Sequence, residues 1–257
     1  MIDIEALLQP ELTELNRLPT RTPLAPVPDA RAAYANEPSP HRKSLDGDWL
    51  FRLVDSPGLA PKNWMKPTAS RKGWRTISVP GSWTRQNTGD HPHYTNIIMP
   101  WPLDPPEAPA ENPTGLHVTT FTCPRTWKSN NVVLHLGGAE SIAVVWCNGN
   151  FVGMGKDSRL PSEFDLTPHL AAGKNTLAVM VIRYGDVTWI EDQDHWWHAG
   201  LHRSVHIEAR PKVHVRDITA VADYDPGTKR GRLNVDCLLY TSPSPRDATL
   251  SRMPSSA

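Results

Sequence analysis

The chain has 257 residues, of which 39% are hydrophobic and 21% are charged, so it holds enough apolar material for a folded core. Lysine plus arginine and aspartate plus glutamate both number 27, and this balance offers no basic surface that would attract a nucleic-acid backbone. The 26 prolines are about twice the average share and argue against long helices.

The N-terminal sequence and the cysteines bear on the cellular compartment. Residues 1–10 have neither a basic start nor a sustained apolar run, so we predict no signal peptide and no membrane span. The three cysteines, Cys123, Cys147 and Cys237, are an odd number without a metal-type spacing. We therefore expect reduced thiols in a cytoplasmic protein that has no membrane partner.

Residues 1–42 form a proline-rich N-terminal extension. A short helix is predicted at 4–8, whereas six prolines between positions 19 and 40 prevent a continuous helix or a central strand. We expect this extension to lie over a surface of its own domain or of a neighbouring subunit.

From residue 44 onward, the sequence is typical of short strands separated by Gly and Pro turns. The predicted strands lie within residues 45–53, 76–83, 116–123, 131–138, 141–147, 151–153, 175–183 and 203–209. Ile142, Val144 and Trp146 alternate onto one face of their strand. Asn148-Gly149 then predicts a tight hairpin, because both residues tolerate positive φ. This regular spacing favours an all-β, antiparallel sandwich of jelly-roll type.

The domain boundaries follow from changes in this pattern. Residues 43–210 are predicted to form the jelly roll, in which 175–183 is a central strand because it is apolar on both faces. Residues 211–237 are predicted to form the first two strands of a second sandwich. Residues 238–257 are rich in Ser and Pro and lack periodicity, which predicts disorder. They resemble translated adapter sequence, so we expect a non-native tail on a longer natural protein.

The acidic sequence Glu191-Asp192-Gln193-Asp194 is the first candidate site. In a loop or strand, Asp192 and Asp194 would share a side. Two nearby carboxylates suit glycoside hydrolysis, the binding of a hard cation through oxygen, or a role as salt-bridged loop acids. The residue types alone leave these three interpretations open.

Asn96 is the second candidate, since its amide offers both a donor and an acceptor for sugar hydroxyls. Seen alone, a turn asparagine is the simpler interpretation. Trp196 and Trp197 either stack on a sugar ring or pack beneath the loop of Asp194.

Two further groups of polar residues are predicted to be structural. The first consists of loop histidines that are far apart in sequence, which argues against a shared metal site: His91, His93, His195 and His198. The second consists of charged residues expected to form salt bridges or caps: Asp157, Arg159, Glu163 and Asp165.

Several motifs of this sequence are highly specific. They include Asp157-Ser-Arg-Leu-Pro-Ser-Glu-Phe-Asp-Leu, Glu191-Asp-Gln-Asp, Trp146-Cys-Asn-Gly, Gly200-Leu-His-Arg, Leu45-Asp-Gly-Asp-Trp, Val79-Pro-Gly-Ser-Trp, Tyr94-Thr-Asn and Glu111-Asn-Pro-Thr-Gly. Over about residues 12–237, and in the same order, the chain resembles the N-terminal sugar-binding domain of glycoside hydrolase family 2 β-galactosidases. The resemblance implies a galactose-binding-domain-like jelly roll followed by the start of an immunoglobulin-like sandwich.

The same resemblance implies an activity for the whole protein. Its relatives are retaining enzymes that hydrolyse terminal β-galactosides such as lactose through a covalent glycosyl-enzyme intermediate. Their acid/base and nucleophile glutamates lie in a (β/α)8 barrel, so we expect no catalytic residue in this chain and no activity from it alone. A β-galactoside substrate and a homo-oligomeric full-length protein are the implied partners.

The resemblance also assigns site residues. The aspartate that matches Asp194 reaches into the active site, where it binds a sodium ion and galactosyl hydroxyls. The loop at 94–96 belongs to the same galactose subsite, which makes Asn96 a substrate-binding residue. Some family members hold magnesium between the N-terminal extension and this domain, and Asp186 matches one ligand position. Lys156 stands where a neutral amide ligand would be, and its cationic side chain opposes a divalent cation.

Two alternatives belong to other functional classes. One is a stand-alone carbohydrate-binding module with its own groove. The other is an assembly module whose N-terminal extension grips another subunit. Other specificities of the family, such as glucuronidase or mannosidase, are disfavoured, because those enzymes lack the motifs at 157–165 and 191–194.

Overall fold

The computed structural model describes residues 4–95 and 99–240, and most of the regular structure in these ranges is β. In chain order, its fifteen strands are β1 (Glu14–Leu15), β2 (Arg42–Ser44), β3 (Gly47–Val54), β4 (Arg75–Val79), β5 (Gly81–Ser82), β6 (Thr114–Thr122), β7 (Asn131–Leu136), β8 (Ile142–Cys147), β9 (Asn150–Lys156), β10 (Ser162–Asp165), β11 (Lys174–Ile182), β12 (Gly200–Leu201), β13 (Val205–Arg210), β14 (His214–Asp225) and β15 (Arg230–Tyr240). The α-helices are α1 (Ile4–Leu7), α2 (Ala30–Tyr34) and α3 (Asp186–Glu191), and 3₁₀ turns span Pro57–Leu59, Trp83–Arg85, Arg125–Trp127 and Thr167–His169.

Two antiparallel sheets build the main body of the fold. The larger has seven strands in the order β1-β9-β8-β11-β6-β3-β4, and the smaller has the order β10-β7-β13-β2. Their inner faces share one apolar core, as in a β-sandwich. The predicted all-β jelly-roll sandwich is therefore confirmed. None of the helices in the described residues is long and apolar enough to cross a membrane.

The central position of β11 explains its composition. It lies between β8 and β6 in the larger sheet, and both faces of this sheet are covered. On the outer face, Ile142, Val144 and Trp146 join a second apolar cluster with Trp64 and Met180, while the residues between them face the core that the two sheets share. A strand that is buried on both faces has a nearly continuous run of apolar residues, and this explains the sequence of β11.

The predicted hairpin at Asn148-Gly149 is confirmed. The two residues have φ of 53° and 83° and connect β8 to β9. The Asn148 amide has a second task, because its Nδ2 donates to Asn175 Oδ1 at 2.7 Å and its Oδ1 accepts from the backbone of Thr176 at 2.9 Å. The turn residue thus also ties the hairpin to β11.

The N-terminal extension lies over its own domain. β1 pairs antiparallel with β9 at the edge of the larger sheet, with Glu14 opposite Gly155. Further along, Arg21 donates from Nε and Nη2 to the carboxylate of Glu163. Helix α2 was not predicted; the side chain of Asp29 caps it by accepting from Ala32 N at 2.8 Å.

Glu163 belongs to a largely buried ion network, in agreement with its predicted structural role. Arg210 Nη2 lies 2.7 Å from Glu163 Oε1, and Arg210 Nε lies 2.9 Å from Glu208 Oε1. Burial opposes the ionisation of Glu163, but hydrogen bonds from His135, Arg210 and Arg21 outweigh it and hold the pKa of Glu163 well below its usual range. The network joins the smaller sheet to the N-terminal extension.

Strands β14 and β15 form a two-stranded sheet of their own, and β15 ends at Tyr240, beyond the predicted boundary at 237 and inside the segment predicted to be disordered. They reach the extension through Thr22, whose backbone N donates to Asp217 Oδ1 at 2.8 Å. Large apolar side chains such as Val221 and Leu233 are exposed on this hairpin. Its assignment to an immunoglobulin-like domain stays a prediction, and most of the expected tail, residues 241–257, lies outside the described residues.

Candidate functional site

Helix α3 positions the acidic sequence at its C-terminal end. Glu191 is the last helical residue, and Asp192 and Asp194 follow it in a loop. The carboxylate of Glu191 accepts from the backbone N of Ser158 at 2.8 Å and from the Ser158 hydroxyl. These two bonds attach the end of the helix to the segment between β9 and β10. The chain from Asp192 onward is a loop, and these two bonds hold the residue from which it begins.

Asp192 and Asp194 have different partners. Trp197 Nε1 donates to Asp192 Oδ1 at 3.1 Å, whereas Tyr94 Oη donates to Asp194 Oδ1 at 2.5 Å. The hydrogen bond to Asp194 raises the pKa of the Tyr94 phenol. Among the described residues, no group of three or more His, Cys, Asp or Glu side chains is arranged to hold a metal ion. The two carboxylates thus accept hydrogen bonds from different side chains.

A short backbone ladder holds the two candidate loops together. His93 N donates to Trp197 O at 3.1 Å, and Trp197 N donates to His93 O at 2.7 Å. This ladder and the Tyr94–Asp194 hydrogen bond bring residues 93–95 against residues 194–197. Asn96 lies outside the described residues, so its predicted role in substrate binding stays a prediction.

The two tryptophans of the loop differ in exposure: Trp197 is buried and Trp196 lies at the surface. Trp197 is 4% exposed and packs against Trp101 and His93, with ring centroids 6.0 and 5.8 Å apart. Trp196 is 58% exposed, and its ring centroid lies 5.7 Å from that of Tyr94. An exposed aromatic face beside a carboxylate offers apolar contact for a sugar ring and an acceptor for its hydroxyls.

Glu140, which was not predicted, holds the far side of the loop. It is 8% exposed, accepts from the backbone N of His198 at 3.0 Å, and lies 3.1 Å from Arg159 Nη1. Arg159 Nη2 also lies 3.1 Å from His195 Nε2. Burial raises the pKa of Glu140 despite the neighbouring Arg159. The only sequence signal for Glu140 is a charged residue within an apolar strand region.

Cavities near the loop are small. One of about 20 Å³ is lined by Glu140, Arg159, Asp192 and their neighbours, and it suits a water molecule but not a sugar ring. A cavity of about 650 Å³ lies beside Trp64, and neither Asp194 nor Asp186 lines it.

Asp186, the predicted magnesium ligand, faces a lysine. Lys156 Nζ lies 2.9 Å from Asp186 Oδ1 and donates to the backbone O of Gln9 at 2.7 Å. A protonated amine has no lone pair for a metal and repels it. The residues present do not fit a magnesium ion at this position.

The other charged residues between 157 and 165 make local contacts. Asp157 Oδ1 accepts from the backbone N of Arg159 at 2.9 Å and of Leu160 at 2.8 Å. Asp165 Oδ1 accepts from the backbone N of Thr167 at 2.8 Å. With Arg159 paired to Glu140, these contacts agree with the predicted salt-bridging and capping roles.

Known proteins resemble this chain over most of its length. A beta-galactosidase of Erwinia tasmaniensis is 42% identical over 228 residues, which cover 88% of this chain and 22% of that protein. A beta-galactosidase of Priestia megaterium is 38% identical over 253 residues, covering 95% of this chain and 24% of that protein. The chain thus spans less than a quarter of the length of these curated relatives.

Solved structures share the fold. A beta-glucuronidase of an uncultured Clostridium sp. superposes with a TM-score of 0.59 at 20% identity, covering 84% of this chain and 35% of that chain. A beta-glycosidase of Bacteroides vulgatus gives a TM-score of 0.58 at 21% identity, covering 79% and 24%. The profile described as glycosyl hydrolases family 2, sugar binding domain, matches residues 42–211. The chain therefore belongs to glycosyl hydrolase family 2 and carries its sugar binding domain.

Proposed function

We propose that this chain is the N-terminal portion of a retaining β-galactosidase that hydrolyses terminal β-D-galactosides of the lactose type. The observation that carries the proposal is the contact between Tyr94 and Asp194, which presents a carboxylate at an exposed edge beside Trp196. The names of the curated relatives support the substrate class. In this proposal the catalytic acids lie outside the chain, and this domain contributes binding residues.

Each binding residue has a chemical task in this proposal. Asp194 accepts hydrogen bonds from galactosyl hydroxyls, and Asn96 adds a donor and an acceptor. Asp194 also provides one oxygen ligand for sodium, a fit that follows from the preference of hard cations for oxygen. When bound, the ion supplies a fixed positive charge near the sugar hydroxyls. Its remaining ligands come from other parts of the protein.

The test uses a chimera, because the proposed catalytic acids are not in the chain. Residues 12–237 replace the matching segment of the Erwinia tasmaniensis relative, and hydrolysis of a nitrophenyl β-galactoside is measured. We expect turnover by the chimera, no turnover by the 257-residue chain alone, and a loss of kcat/KM of at least about tenfold in Asp194→Ala. Asp48→Ala, at an exposed carboxylate on β3, is the matched control.

Two results contradict the proposal. One is a chimera that folds and cleaves a nitrophenyl β-glucuronide in preference to the galactoside. The other is hydrolysis of the galactoside by the chain alone. Sodium dependence is read separately, as the change in KM when sodium is replaced by choline; we expect this change to disappear in Asp194→Ala.

A second candidate function is a carbohydrate-binding module without hydrolase activity. The exposed ring of Trp196 beside Tyr94 and Asp194 favours it, because such a surface binds a sugar without catalytic acids. Calorimetric titration of the 257-residue chain with galactose distinguishes the two. If the chain binds galactose and Trp196→Ala abolishes this binding, the result supports the carbohydrate-binding module. If the chain does not bind galactose, the result supports a site that only the rest of an enzyme completes.

A further inference from the structure

Lys156 is the most deeply buried ammonium group near the candidate site. Its side chain is 0% exposed, although it stands at the end of β9, close to the surface segment that leads to Asp157. Burying an unpaired charge is costly, so a lysine is kept at such a position only when partners compensate it. Lys156 has two: the carboxylate of Asp186 and the backbone carbonyl of Gln9.

These partners come from two other parts of the fold. Asp186 is the first residue of α3, the helix that ends at the loop of Asp194. Gln9 lies in the N-terminal extension, shortly after α1. The backbone of Lys156 grips the same extension, because its N donates to Thr13 O at 3.1 Å. Lys156 therefore joins β9, α3 and the extension at one point.

The contact with Asp186 is electrostatic. Within residues 4–95 and 99–240, Asp186 Oδ1 is buried and accepts no hydrogen bond of ordinary geometry, so its charge is balanced by the ion pair with Nζ at 2.9 Å. A magnesium ion would need about six oxygen ligands at about 2.0–2.1 Å, and the ammonium stands against the carboxylate that would supply one. The two cations exclude each other.

We propose that the Lys156 ammonium is a built-in cation that fastens the N-terminal extension to α3 without a metal ion. The charge that a divalent cation would bring to this point is supplied by the side chain itself. Docking of the extension is consequently independent of divalent cations, and a neutral amide at position 156 restores a place for one.

The test measures thermal unfolding of the 257-residue chain in EDTA and in millimolar magnesium at equal ionic strength. We expect the wild-type Tm to be the same in both. Lys156→Gln should be less stable in EDTA and regain stability as magnesium is added, because a ligand that binds the folded state raises Tm. Lys156→Met, which has neither charge nor oxygen, should lose stability in both conditions and show no response.

Hydrogen exchange provides a second measurement, because it reports on the extension directly. In Lys156→Met, the backbone amides of residues 9–15 (except Pro10, which has none) and of residue 156 should exchange at least about tenfold faster, whereas those of β11 should keep their protection. In Lys156→Gln, added magnesium should restore the protection of residues 9–15. Neither readout depends on the hydrolase activity of a larger protein.

Three outcomes overturn the proposal. The first is a wild-type Tm that rises with magnesium and saturates, which would place a metal beside Lys156. The second is wild-type protection of residues 9–15 in Lys156→Met. The third is a Lys156→Gln protein that ignores magnesium, because the ammonium would then not be what excludes the ion. If Lys156→Met does not fold, the wild type and Lys156→Gln decide the question alone.

Discussion

Tyr94 and Asp194 lie 100 positions apart in sequence, yet the phenol of one donates to the carboxylate of the other at 2.5 Å. This bond and the backbone ladder between His93 and Trp197 hold the two loops in contact. Both side chains are exposed, so the bond adds little to global stability. Its effect is local: it fixes the direction in which the carboxylate of Asp194 points.

Tyr94→Phe tests this orienting role. We expect the variant to keep the wild-type Tm, because the hydroxyl is at the surface, and to raise KM for a β-galactoside in the chimera by about threefold to tenfold. Steady-state kinetics and a thermal melt are the measurements. Tyr34→Phe, at a residue that is 94% exposed on α2, serves as the control. An unchanged KM would show that Asp194 keeps its orientation without the phenol.

The tryptophan pair gives a prediction about stability. Trp197 is buried among aromatic rings, so Trp197→Ala should lower the free energy of unfolding by about 3–5 kcal/mol. Trp196→Ala should change it by less than about 0.5 kcal/mol, because most of that side chain is already in water. Urea denaturation of both variants measures the difference. Equal losses would mean that both rings belong to the core.

The jelly roll could be predicted because its signals are local. The alternation of Ile142, Val144 and Trp146 and the turn at Asn148-Gly149 follow from strand and hairpin geometry, and each appears in the structure as expected. Short elements such as α2 were missed, because a single capping side chain and a few alanines decide them.

The site was less predictable, because its contacts join segments that are distant in sequence. Resemblance to the family directed attention to Asp194 and Asp186, but residue types alone do not reveal that Tyr94 reaches Asp194 or that Lys156 is buried against Asp186. The role of Glu140 depends on the same long-range packing. Composition and spacing carry no information about such pairs until the sheets are assembled.

The ion network of Glu163 predicts acid sensitivity. The pKa of this carboxyl is lower in the folded protein than its ordinary value of 4.5, so the unfolded chain binds more protons in acid. The stability that the ionised group contributes is complete above about pH 4.5 and is lost as the pH falls below it. Glu163→Gln should cost about 1–3 kcal/mol at pH 7, because Arg210 loses a partner, and should flatten the acid limb of the stability curve.

The matched control for the network is Asp165→Asn, at the neighbouring residue that caps Thr167 outside the network. Its acid limb should follow that of the wild type. Urea midpoints measured between about pH 3 and 7 provide the comparison. A Glu163→Gln variant that loses stability in acid as steeply as the wild type would exclude Glu163 as the source.

We expect His117 to cause a second loss of stability, which begins at a higher pH than the loss caused by Glu163. It is fully buried against Phe51, with ring centroids 5.0 Å apart, and burial lowers its pKa from 6.5 to about 4. Because the unfolded chain takes up this proton first, stability is complete above about pH 6.5 and falls as the pH drops toward 4. The shift corresponds to about 3 kcal/mol. His117→Leu removes the titrating ring and should remove that part of the pH dependence.

The comparison requires a histidine variant that leaves the core intact. His91→Leu changes an exposed histidine, so its stability between pH 4 and 6.5 should follow the wild type. His117→Leu should start lower at pH 7, because the hydrogen bond between Nδ1 and Gly115 O is lost, and then change less with pH. If both variants and the wild type decline in parallel over this range, the proton uptake belongs to other groups. The imidazole of His117 would then bind its proton at nearly the same pH in the folded and the unfolded chain.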